Sequence, residues 1–381
     1  MAADRDFMLL VTRNLPPLVG GMERLMQHTA EGLAEVTDLA VIGPRGCRQY
    51  LPAQAQVVEL DPRPAFFLPL ALLHAIGICW RRRPQRVLGG SGLLGPVLLL
   101  LQWLCQVRTA VFLHGLDIVV DNRVYQSLFV PCFRRLHTVL TNSRNTADLA
   151  AAAGVPRERI EVIHPGTGLP ETDRELAAAR FRKRHAIEAR NVLLFVGRVT
   201  PRKGLRRFLE HSLPGLLESE PDSCLVVVGE HPDQGLATRS PELEAVNAVA
   251  QRLHLNRALH FLGQVDDEQL QDAFAAADVL VFPLVPTPGD IEGFGMVAIE
   301  AAALGTPTVA FAVGGVVDAV AEGVSGHLVE SGDYAGFTAA LLDVLRHPGA
   351  LRDSSRRFAE GFAWPRYHRQ VSEALALAAE H

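Results

Sequence analysis

Two cationic side chains share the loop that follows a strand-like run in the second half of the chain. The run 192–196 ends at Gly197, Arg198 comes next, and Lys203 stands just before a helical pattern that follows Gly204. Arg198 and Lys203 can converge across one turn, where arginine grips oxygens bidentately and lysine supplies a compact charge. Lys203 is one of only two lysines among 37 basic residues, which favours a specific role over that of an arbitrary base. The loop suits a diphosphate, and a solvated basic loop is the alternative.

A second loop brings two carboxylates to the start of a helix. The string E-G-F-G-M-V-A-I-E runs from Glu292 to Glu300, and a helix is predicted over 295–304. The helix start offers N–H groups to phosphate. Carboxylates would repel phosphate there, so we expect them to accept hydrogen bonds from hydroxyls. A sugar nucleotide carries hydroxyls on both sides of its diphosphate, and one glutamate for each fits the spacing.

The first half of the chain has two similar strand ends. Gly20 and Gly21 lie between a predicted strand and a helix start, where glycine lets the backbone approach a ligand closely. His114, with Asp117 three residues later, follows another predicted strand and is placed to face a ligand. The alternatives are an ordinary flexible loop and a satisfied surface histidine.

Strand-like and helical segments alternate through the chain, which indicates parallel sheets covered on both faces. Because so many strands exceed one ordinary sheet, we expect two doubly wound α/β domains that face each other across a central cleft. Their boundary is expected in the Pro/Gly-rich and charged segment near 164–190. The predicted strands are 7–12, 37–42, 56–60, 86–90, 109–113, 137–141, 159–163, 192–196, 224–228, 258–262, 278–282, 307–311 and 326–329. The predicted helices include 22–35, 122–135, 143–153, 205–218, 267–276, 295–304 and 334–346.

Composition limits the class of protein. The chain has 381 residues, a formal net charge of −5 and 48% hydrophobic residues, which suits globular domains and disfavours a nucleic-acid binder. Five scattered cysteines without a C-x-x-C pair suit a reducing cytoplasm. The N-terminus has no apolar core of signal-peptide length, so export is not expected. No metal-ligand cluster, Walker loop or G-x-G-x-x-G fingerprint is found.

The combined motifs resemble the retaining glycosyltransferases of family four, which have the GT-B fold. The resemblance implies a first Rossmann-like domain over 1–165, a linker over 166–190, a second Rossmann-like domain over 191–350, and terminal helices over 351–381, the last crossing back to the first domain. It is carried by P-P-L-V-G-G-M-E-R at 16–24, H-G-L-D at 114–117, N-S-R-N-T at 142–146, G-R-V-T-P-R-K-G at 197–204, V-V-G-E at 227–230, F-L-G-Q-V at 261–265, E-G-F-G-M-V-A-I-E-A-A-A-L-G-T-P at 292–307 and G-G-V-V-D-A-V-A-E-G-V-S-G-H-L-V at 314–329.

The resemblance also implies roles. His114 would contact the donor sugar, Arg198 and Lys203 would neutralise the leaving diphosphate, and Glu292 would hold sugar hydroxyls. Glu300 would bind the ribose, and no metal or other cofactor would be needed. Further donor-binding positions are Gly20, Gly21, Gly197, Gly263, Val265, Gly293, Phe294, Gly295 and Met296. Glu23, Asp117 and Asn142 are acceptor-side candidates.

Two uncharged stretches, 64–80 and 87–107, have the length or apolarity of a membrane span. Glycines in the first half of the second stretch favour a buried strand, a glycine turn and a buried apolar helix instead. Four arginines lie between the stretches and suggest peripheral contact with an anionic membrane, the alternative being the solvated end of a buried helix. They are Arg81, Arg82, Arg83 and Arg86.

The expected function is transfer of a hexose from a nucleotide diphosphate sugar to a glycan or lipid-linked glycan in bacterial surface polysaccharide or lipopolysaccharide synthesis. GDP-mannose and UDP-sugars are the candidate donors. The family's histidine-containing strand end is replaced here by Pro84-Gln-Arg-Val-Leu-Gly-Gly-Ser91, which leaves the acceptor open. The expected location is the cytoplasm, at or near the inner face of the membrane. A sugar-nucleotide epimerase of related fold and a catalytically silent sugar-nucleotide-binding protein are the alternatives.

Overall fold

The computed structural model describes residues 6–229 and 241–377. Glu230 of the V-V-G-E string and the two ends of the chain lie outside these residues. Packing divides the described chain into two units. The first comprises 6–166, 288–294 and 364–377, and the second comprises 167–229, 241–287 and 295–363.

The described part of the first unit contains a seven-stranded parallel sheet in the order β3-β2-β1-β4-β5-β6-β7. Residues of one strand alternate between two cores: Phe7, Leu9 and Val11 pack in one, Met8 and Leu10 in the other. Helices therefore cover both faces of the sheet, as expected for a doubly wound domain. The strands are β1 (Phe7–Val11), β2 (Asp38–Pro44), β3 (Gln56–Leu60), β4 (Arg86–Gly89), β5 (Arg108–Leu113), β6 (Thr138–Thr141) and β7 (Ile160–Val162).

The helices of the first unit include one from the far end of the chain. The helix at 364–374 contacts the first helix of the chain, and its Tyr367 and Val371 are buried in the same core as Met8. These helices are α1 (Gly21–Val36), α2 (Pro64–Arg82), α3 (Gly95–Cys105), α4 (Leu116–Val119), α5 (Arg123–Leu128), α6 (Val130–Phe133), α7 (Arg144–Ala152) and α17 (Trp364–Ala374).

In the second unit, the described residues form a six-stranded parallel sheet in the order β10-β9-β8-β11-β12-β13. Its strands are β8 (Asn191–Val196), β9 (Ser223–Val228), β10 (Leu259–Gly263), β11 (Val279–Phe282), β12 (Thr308–Phe311) and β13 (Gly326–Val329). Its helices are α8 (Arg174–Arg184), α9 (Leu205–His211), α10 (Leu213–Ser219), α11 (Pro241–Arg252), α12 (Asp267–Ala276), α13 (Met296–Ala303), α14 (Val316–Ala319), α15 (Tyr334–Arg346) and α16 (Arg352–Glu360).

The segment expected as a linker, 166–190, contains α8, which belongs to the second unit. Arg180 forms two hydrogen bonds of 2.6 Å with the carboxylate of Asp272 on α12. Arg174 donates to the carbonyls of Leu304 and Ala277 at 2.5 and 2.6 Å. Side chains thus fix this charged segment to the second unit, although its composition resembles that of a connector.

The two apolar stretches differ from their expected burial. Helix α2 is the one described helix that is long and apolar enough to cross a membrane. Phe67, Ala71, Ala75 and Cys79 form a single buried stripe along it and pack in the core of the first unit. The second stretch forms β4, a glycine-rich turn and α3, as predicted. However, α3 is buried on one side only.

Candidate functional site

In the second unit, the strand ends around β8 form what we call the Lys203 centre: Gly197, Lys203, Phe282 and Gly295. Lys203 closes a short 3-10 turn after β8 and is half-buried. Its Nζ lies 4.9 Å from the centroid of the Phe282 ring at the end of β11. A Cβ placed on Gly197 would lie 3.8 Å from the same Nζ. Arg198, next to Gly197, is exposed.

Glycines let the strand ends of this unit approach one another closely. Gly204 has φ +72°, and a side chain there would collide with the carbonyl oxygen of Pro283. Gly229, after β9, has φ +130°, and a Cβ there would lie 2.5 Å from the carbonyl oxygen of Gly197. Neither position can accept a side chain without strain. The backbone segments on either side of Lys203 are therefore packed tightly against neighbouring strand ends.

Helix α13 begins at the same place. Gly295 caps it with φ +95°, and a Cβ there would lie 2.9 Å from Cε1 of Phe282. The Phe282 ring is thus bordered by the Lys203 ammonium and by the start of α13, where Met296 is the first helical residue. A lysine charge and a helix N-terminus together form an anion-binding arrangement. Glu300 lies on α13 beyond its first turn and is half-buried.

The segment from Gly263 to Val265 continues this edge of the sheet. The N–H of Gly229 donates to the carbonyl of Gly263 at 2.8 Å, which joins the end of β10 to the end of β9. Gly263 is buried with φ +71°, and Val265 is half-buried. The structure therefore brings the expected base-flanking segment to the neighbouring strand ends.

In the first unit, His114 lies at the carboxyl end of β5 and is buried. Its Nε2 is 2.8 Å from the carbonyl oxygen of Gly90, which follows β4. Because a carbonyl only accepts, Nε2 carries the proton of this hydrogen bond. Nδ1 is buried and has no hydrogen-bond partner among the described residues. A neutral His114 therefore presents an acceptor, which suits a hydroxyl group.

The segment 288–294 carries Glu292 and packs in the first unit. A Cβ on Gly293 would collide with the carbonyl oxygen of His114 and would lie 2.5 Å from Nδ2 of Asn142. Phe294 is buried, and its ring stacks on that of His164 with the centroids 5.4 Å apart. The segment is thus held directly against the strand end that carries His114. We call His114, Gly90, Asn142 and Gly293 the His114 centre.

Asn142 and Asp117 were acceptor-side candidates, and both contact the backbone of His114. Asn142 is buried; its Nδ2 donates to the carbonyl of His114 at 3.4 Å, and its Oδ1 accepts from the Thr146 hydroxyl at 2.8 Å. The Asp117 carboxylate accepts from the N–H of His114 at 2.9 Å. Burial raises the pKa of Asp117, while His114 and the N–H groups of His114 and Gly92 oppose the shift. These contacts position His114.

The Gly20–Gly21 loop leads into α1, and both glycines are exposed. A side chain on Gly20 would collide with the carboxylate of Glu23. Glu23 is buried and accepts a hydrogen bond of 2.9 Å from Nδ2 of Asn14. The buried carboxylate of Glu23, the third acceptor-side candidate, therefore lies against Gly20 and supports the loop.

Sequence reasoning missed three contributors: Gly90, Phe282 and Asn14. The G-G-S-G string after β4 contained a usable signal, because glycines after a strand allow a carbonyl to approach another strand end. Nothing in the sequence marks the last residue of a buried apolar strand such as β11 as a neighbour of an ammonium group.

The fold and these strand ends define a two-domain α/β protein of the GT-B type, and comparison with known proteins agrees. The family model described as glycosyl transferases group 1 matches residues 178–361, and the one described as a glycosyl transferase 4-like domain matches 20–166. The chain belongs to the group 1 glycosyltransferases, and the predicted fold class is confirmed.

Two curated proteins and one solved structure are among those similar to this chain. D-inositol 3-phosphate glycosyltransferase of Geodermatophilus obscurus is 40% identical over 246 residues, 62% of this chain and 52% of that protein. The chain thus spans about half the length of the first curated relatives it matches. GDP-mannose-dependent alpha-(1-6)-phosphatidylinositol monomannoside mannosyltransferase of Mycolicibacterium smegmatis is 29% identical over 97% of this chain and 98% of that protein. Anabaena HepE, solved in complex with UDP-glucose, has a TM-score of 0.78 at 18% identity and covers 97% of this chain and 99% of its own.

Proposed function

We propose that this chain is a retaining, metal-independent hexosyltransferase that uses a GDP- or UDP-linked sugar and a glycan or lipid-linked glycan acceptor. The observation that carries the proposal is the Phe282 ring bordered by the Lys203 ammonium and the start of α13. Two fixed positive groups at one strand edge suit the diphosphate of a sugar nucleotide. The names of two similar proteins, one GDP-mannose-dependent and one bound to UDP-glucose, support this donor class.

The roles follow from the side chains. Lys203, with the exposed Arg198, neutralises the diphosphate, so the cationic charge that a metal ion would supply comes from the protein. His114, through Nδ1, and Glu292 accept hydrogen bonds from sugar hydroxyls. Glu300 accepts from the ribose, and the segment from Gly263 to Val265 flanks the base.

In the transfer step, the bond between the anomeric carbon and the diphosphate oxygen breaks, and its electron pair leaves with the diphosphate. The acceptor hydroxyl attacks the same face, and its proton passes to the departing diphosphate oxygen. The products are the nucleoside diphosphate and the new glycoside. The protein's contribution is electrostatic, because negative charge grows on the diphosphate next to Lys203.

A donor panel tests this function. UDP-, GDP- and ADP-linked hexoses are incubated with the chain without acceptor, then with lipid-linked glycans, and the products are followed by NMR. Slow nucleotide release from one donor, faster with acceptor and with retained anomeric configuration, is expected. Release without any acceptor dependence, conversion of the sugar without release, or binding alone would point to a hydrolase, an epimerase or a silent binder. EDTA is expected to leave turnover unchanged.

For location, we propose peripheral attachment to the cytoplasmic face of the membrane, where a lipid-linked acceptor in bacterial surface polysaccharide synthesis would be presented. One surface supports this attachment. Helices α2 and α3 contact each other, and we call their exposed sides together the α2–α3 face. Trp80 and Trp103 are 67% and 76% exposed, although tryptophan usually avoids such exposure. The other members of this face are Phe66, Leu70, Leu73, Leu100 and Leu104.

Charge complementarity supports an anionic bilayer as the occupant of this face. Arg81, Arg82 and Arg83 at the end of α2 are exposed. Arg86 lies within β4 and is only 8% exposed, so it is not part of the expected basic patch. Arg83, Trp80 and Leu104 line an open cavity of about 570 Å³ between the ends of α2 and α3. Tryptophan beside arginine is typical of side chains at a membrane–water interface. The buried stripe of α2 argues for attachment rather than a span, because a span would remove that stripe from the core.

Flotation with vesicles of phosphatidylcholine, with and without phosphatidylglycerol, tests the attachment. Replacing Arg81 and Arg83 by Ser should weaken binding to the anionic vesicles by roughly 30-fold, since each basic residue contributes about 1 kcal/mol. W80S/W103S should abolish flotation, and L176S, an exposed leucine of α8, should not change it. Equal flotation of all variants, or release only by detergent, would contradict peripheral attachment through this face.

A further inference from the structure

Helices α1 and α17 hold a second group of side chains, apart from the His114 and Lys203 centres. His28 and Glu31 lie one turn apart on α1, and His368 lies on α17. One potential ligand atom from each lies within 4.8 Å of the other two, and this is the one such group of three among the described residues. The sequence alone gave no hint of it, because the third member follows some 340 residues after the first.

The backbone makes room for this group. A Cβ on Gly32 would lie 2.5 Å from Cγ of His368, so the His368 ring rests directly on the α1 backbone. Next to it, the Tyr367 hydroxyl forms a buried 2.6 Å hydrogen bond with Thr29. Trp364 stacks on the His28 ring with centroids 3.7 Å apart. Packing therefore places the two rings next to each other.

His368 has the carboxylate neighbour that is typical of a metal-bound imidazole. Nδ1 of His368 lies 3.5 Å from a carboxylate oxygen of Glu35, while its Nε2 is buried and has no hydrogen-bond partner among the described residues. Nδ1 of His28 lies 2.6 Å from Oε2 of Glu31. Metal-bound histidines commonly donate the other ring N–H to a carboxylate, which orients the ring and fixes its tautomer. Glu35 can serve in this way for His368.

We propose that His28, Glu31 and His368 bind one divalent transition-metal ion, with zinc the best match to two imidazoles and one carboxylate. Three protein ligands leave a fourth position, which water fills in zinc sites of this kind. All three side chains are partly exposed, although Nδ1 of His28 and Nε2 of His368 are themselves buried. Zinc takes nitrogen and oxygen ligands at about 2.0–2.2 Å, so small side-chain rotations would bring the three ligand atoms together around the ion.

The consequence is a clamp between two helices that lie far apart in the sequence. The metal would join α17 to α1. In theory, a link that closes so long a loop restricts the conformations of the unfolded chain most. The clamp contains no residue assigned to sugar or diphosphate, so it acts on stability and leaves the transfer chemistry alone.

Zinc titration of the full-length, untagged protein tests the clamp. Calorimetry after EDTA treatment and dialysis should show one Zn²⁺ per chain, and a hundredfold excess over the dissociation constant should raise Tm by about 5 °C. Co²⁺ should give the visible absorption of a low-symmetry site. Glu31→Gln keeps the side-chain shape and should weaken zinc binding more than tenfold, as should His368→Asn. His254→Asn, at an exposed histidine with φ +56°, is the matched control and should bind zinc as the wild type does.

The outcomes separate clearly. If His368→Asn fails to fold, Glu31→Gln decides alone, because it preserves the packing of α17. Equal zinc affinity in Glu31→Gln and wild type, or no binding by the wild type, overturns the proposal. Turnover of the metal-free protein well below its Tm bears on the transferase function only, so failure of one proposal leaves the other standing.

Discussion

The His114 centre and the Lys203 centre both stand at the carboxyl ends of parallel strands, yet they are built from different groups. The His114 centre is buried and built on hydrogen bonds among an imidazole, a carboxamide and two backbone carbonyls, with the Asp117 carboxylate on the N–H of His114. The Lys203 centre has an ammonium over an aromatic ring, a helix start and glycines with positive φ. The same fold position would thus serve two kinds of recognition.

The difference follows from what each centre would bind. Hydroxyl groups are recognised by hydrogen-bond donors and acceptors held in fixed positions, and the loss of one of these leaves a buried partner unsatisfied. A diphosphate needs charge and close backbone approach, which glycines and a lysine supply. We therefore expect substitutions in the Lys203 centre to act through charge and those in the His114 centre to act through geometry.

The largest effect is expected for Lys203→Ala. Removing a positive group next to the leaving diphosphate should lower kcat by about 100- to 1,000-fold, in line with the loss of one preorganised electrostatic contact. Lys203→Arg should keep part of the activity, since it keeps the charge. Steady-state turnover and thermal unfolding would be measured together, and Tm should change little.

The other lysine of the chain supplies the control. Lys183 is exposed on α8, and Lys183→Ala removes the same charge elsewhere in the second unit. It should turn over as the wild type does. If Lys203→Ala turned over as the wild type does, Lys203 would have no role in the proposed chemistry. The start of α13 would then be the remaining positive group of that centre.

The next largest effect is expected for His114→Asn. The variant removes both the hydrogen bond to the Gly90 carbonyl and the acceptor at Nδ1. Leaving buried polar groups unsatisfied costs about 2 kcal/mol, which corresponds to a roughly 30-fold lower kcat/KM. Kinetics with the identified donor would measure it, with His211→Asn, an exposed histidine of α9, as the control. A loss of thermal stability with unchanged kcat/KM would make His114 a structural residue.

Much of this could be predicted from the sequence because both centres follow strands. The thirteen strands lie within one or two residues of their predicted positions, since apolar runs bounded by glycine or proline mark buried parallel strands well. The predicted helix over 205–218 is split into α9 and α10, with Pro214 at the start of the second. Proline suits the first turn of a new helix better than the interior of a long one.

What the sequence could not predict depends on packing between distant segments. The burial of Arg86 depends on its position within β4, in the middle of the sheet, although its neighbours suggest an exposed basic end. The charged segment 174–184 is held by Asp272 and by backbone carbonyls that no local pattern identifies. Likewise, 288–294 belongs to the first unit, where Gly293 packs against His114 and Asn142.

A smaller effect is expected for Asn142→Ala, which tests positioning within the His114 centre. The variant removes the donor to the His114 carbonyl and the acceptor for Thr146, at roughly 1–2 kcal/mol in stability. We expect a five- to tenfold lower kcat with little change in KM for the donor. Asn145→Ala, from the same helix start, should stay within twofold. If instead KM for the acceptor rises strongly while kcat is kept, Asn142 contacts the acceptor directly.

The smallest effect is expected for Glu23→Gln, and it separates the two interpretations of this residue. The glutamine amide oxygen can still accept the hydrogen bond from Asn14, so the support beneath the Gly20–Gly21 loop is kept while the charge is lost. If the carboxylate only shapes the loop, activity should remain within about threefold, the size of a small change in one hydrogen bond. If Glu23 bound the acceptor through its charge, the acceptor KM should rise by tenfold or more, because hydrogen bonds to ionised groups are about twice as strong as neutral ones. Acceptor titrations of wild type and Glu23→Gln therefore decide whether charge acts in both units or in the Lys203 centre alone.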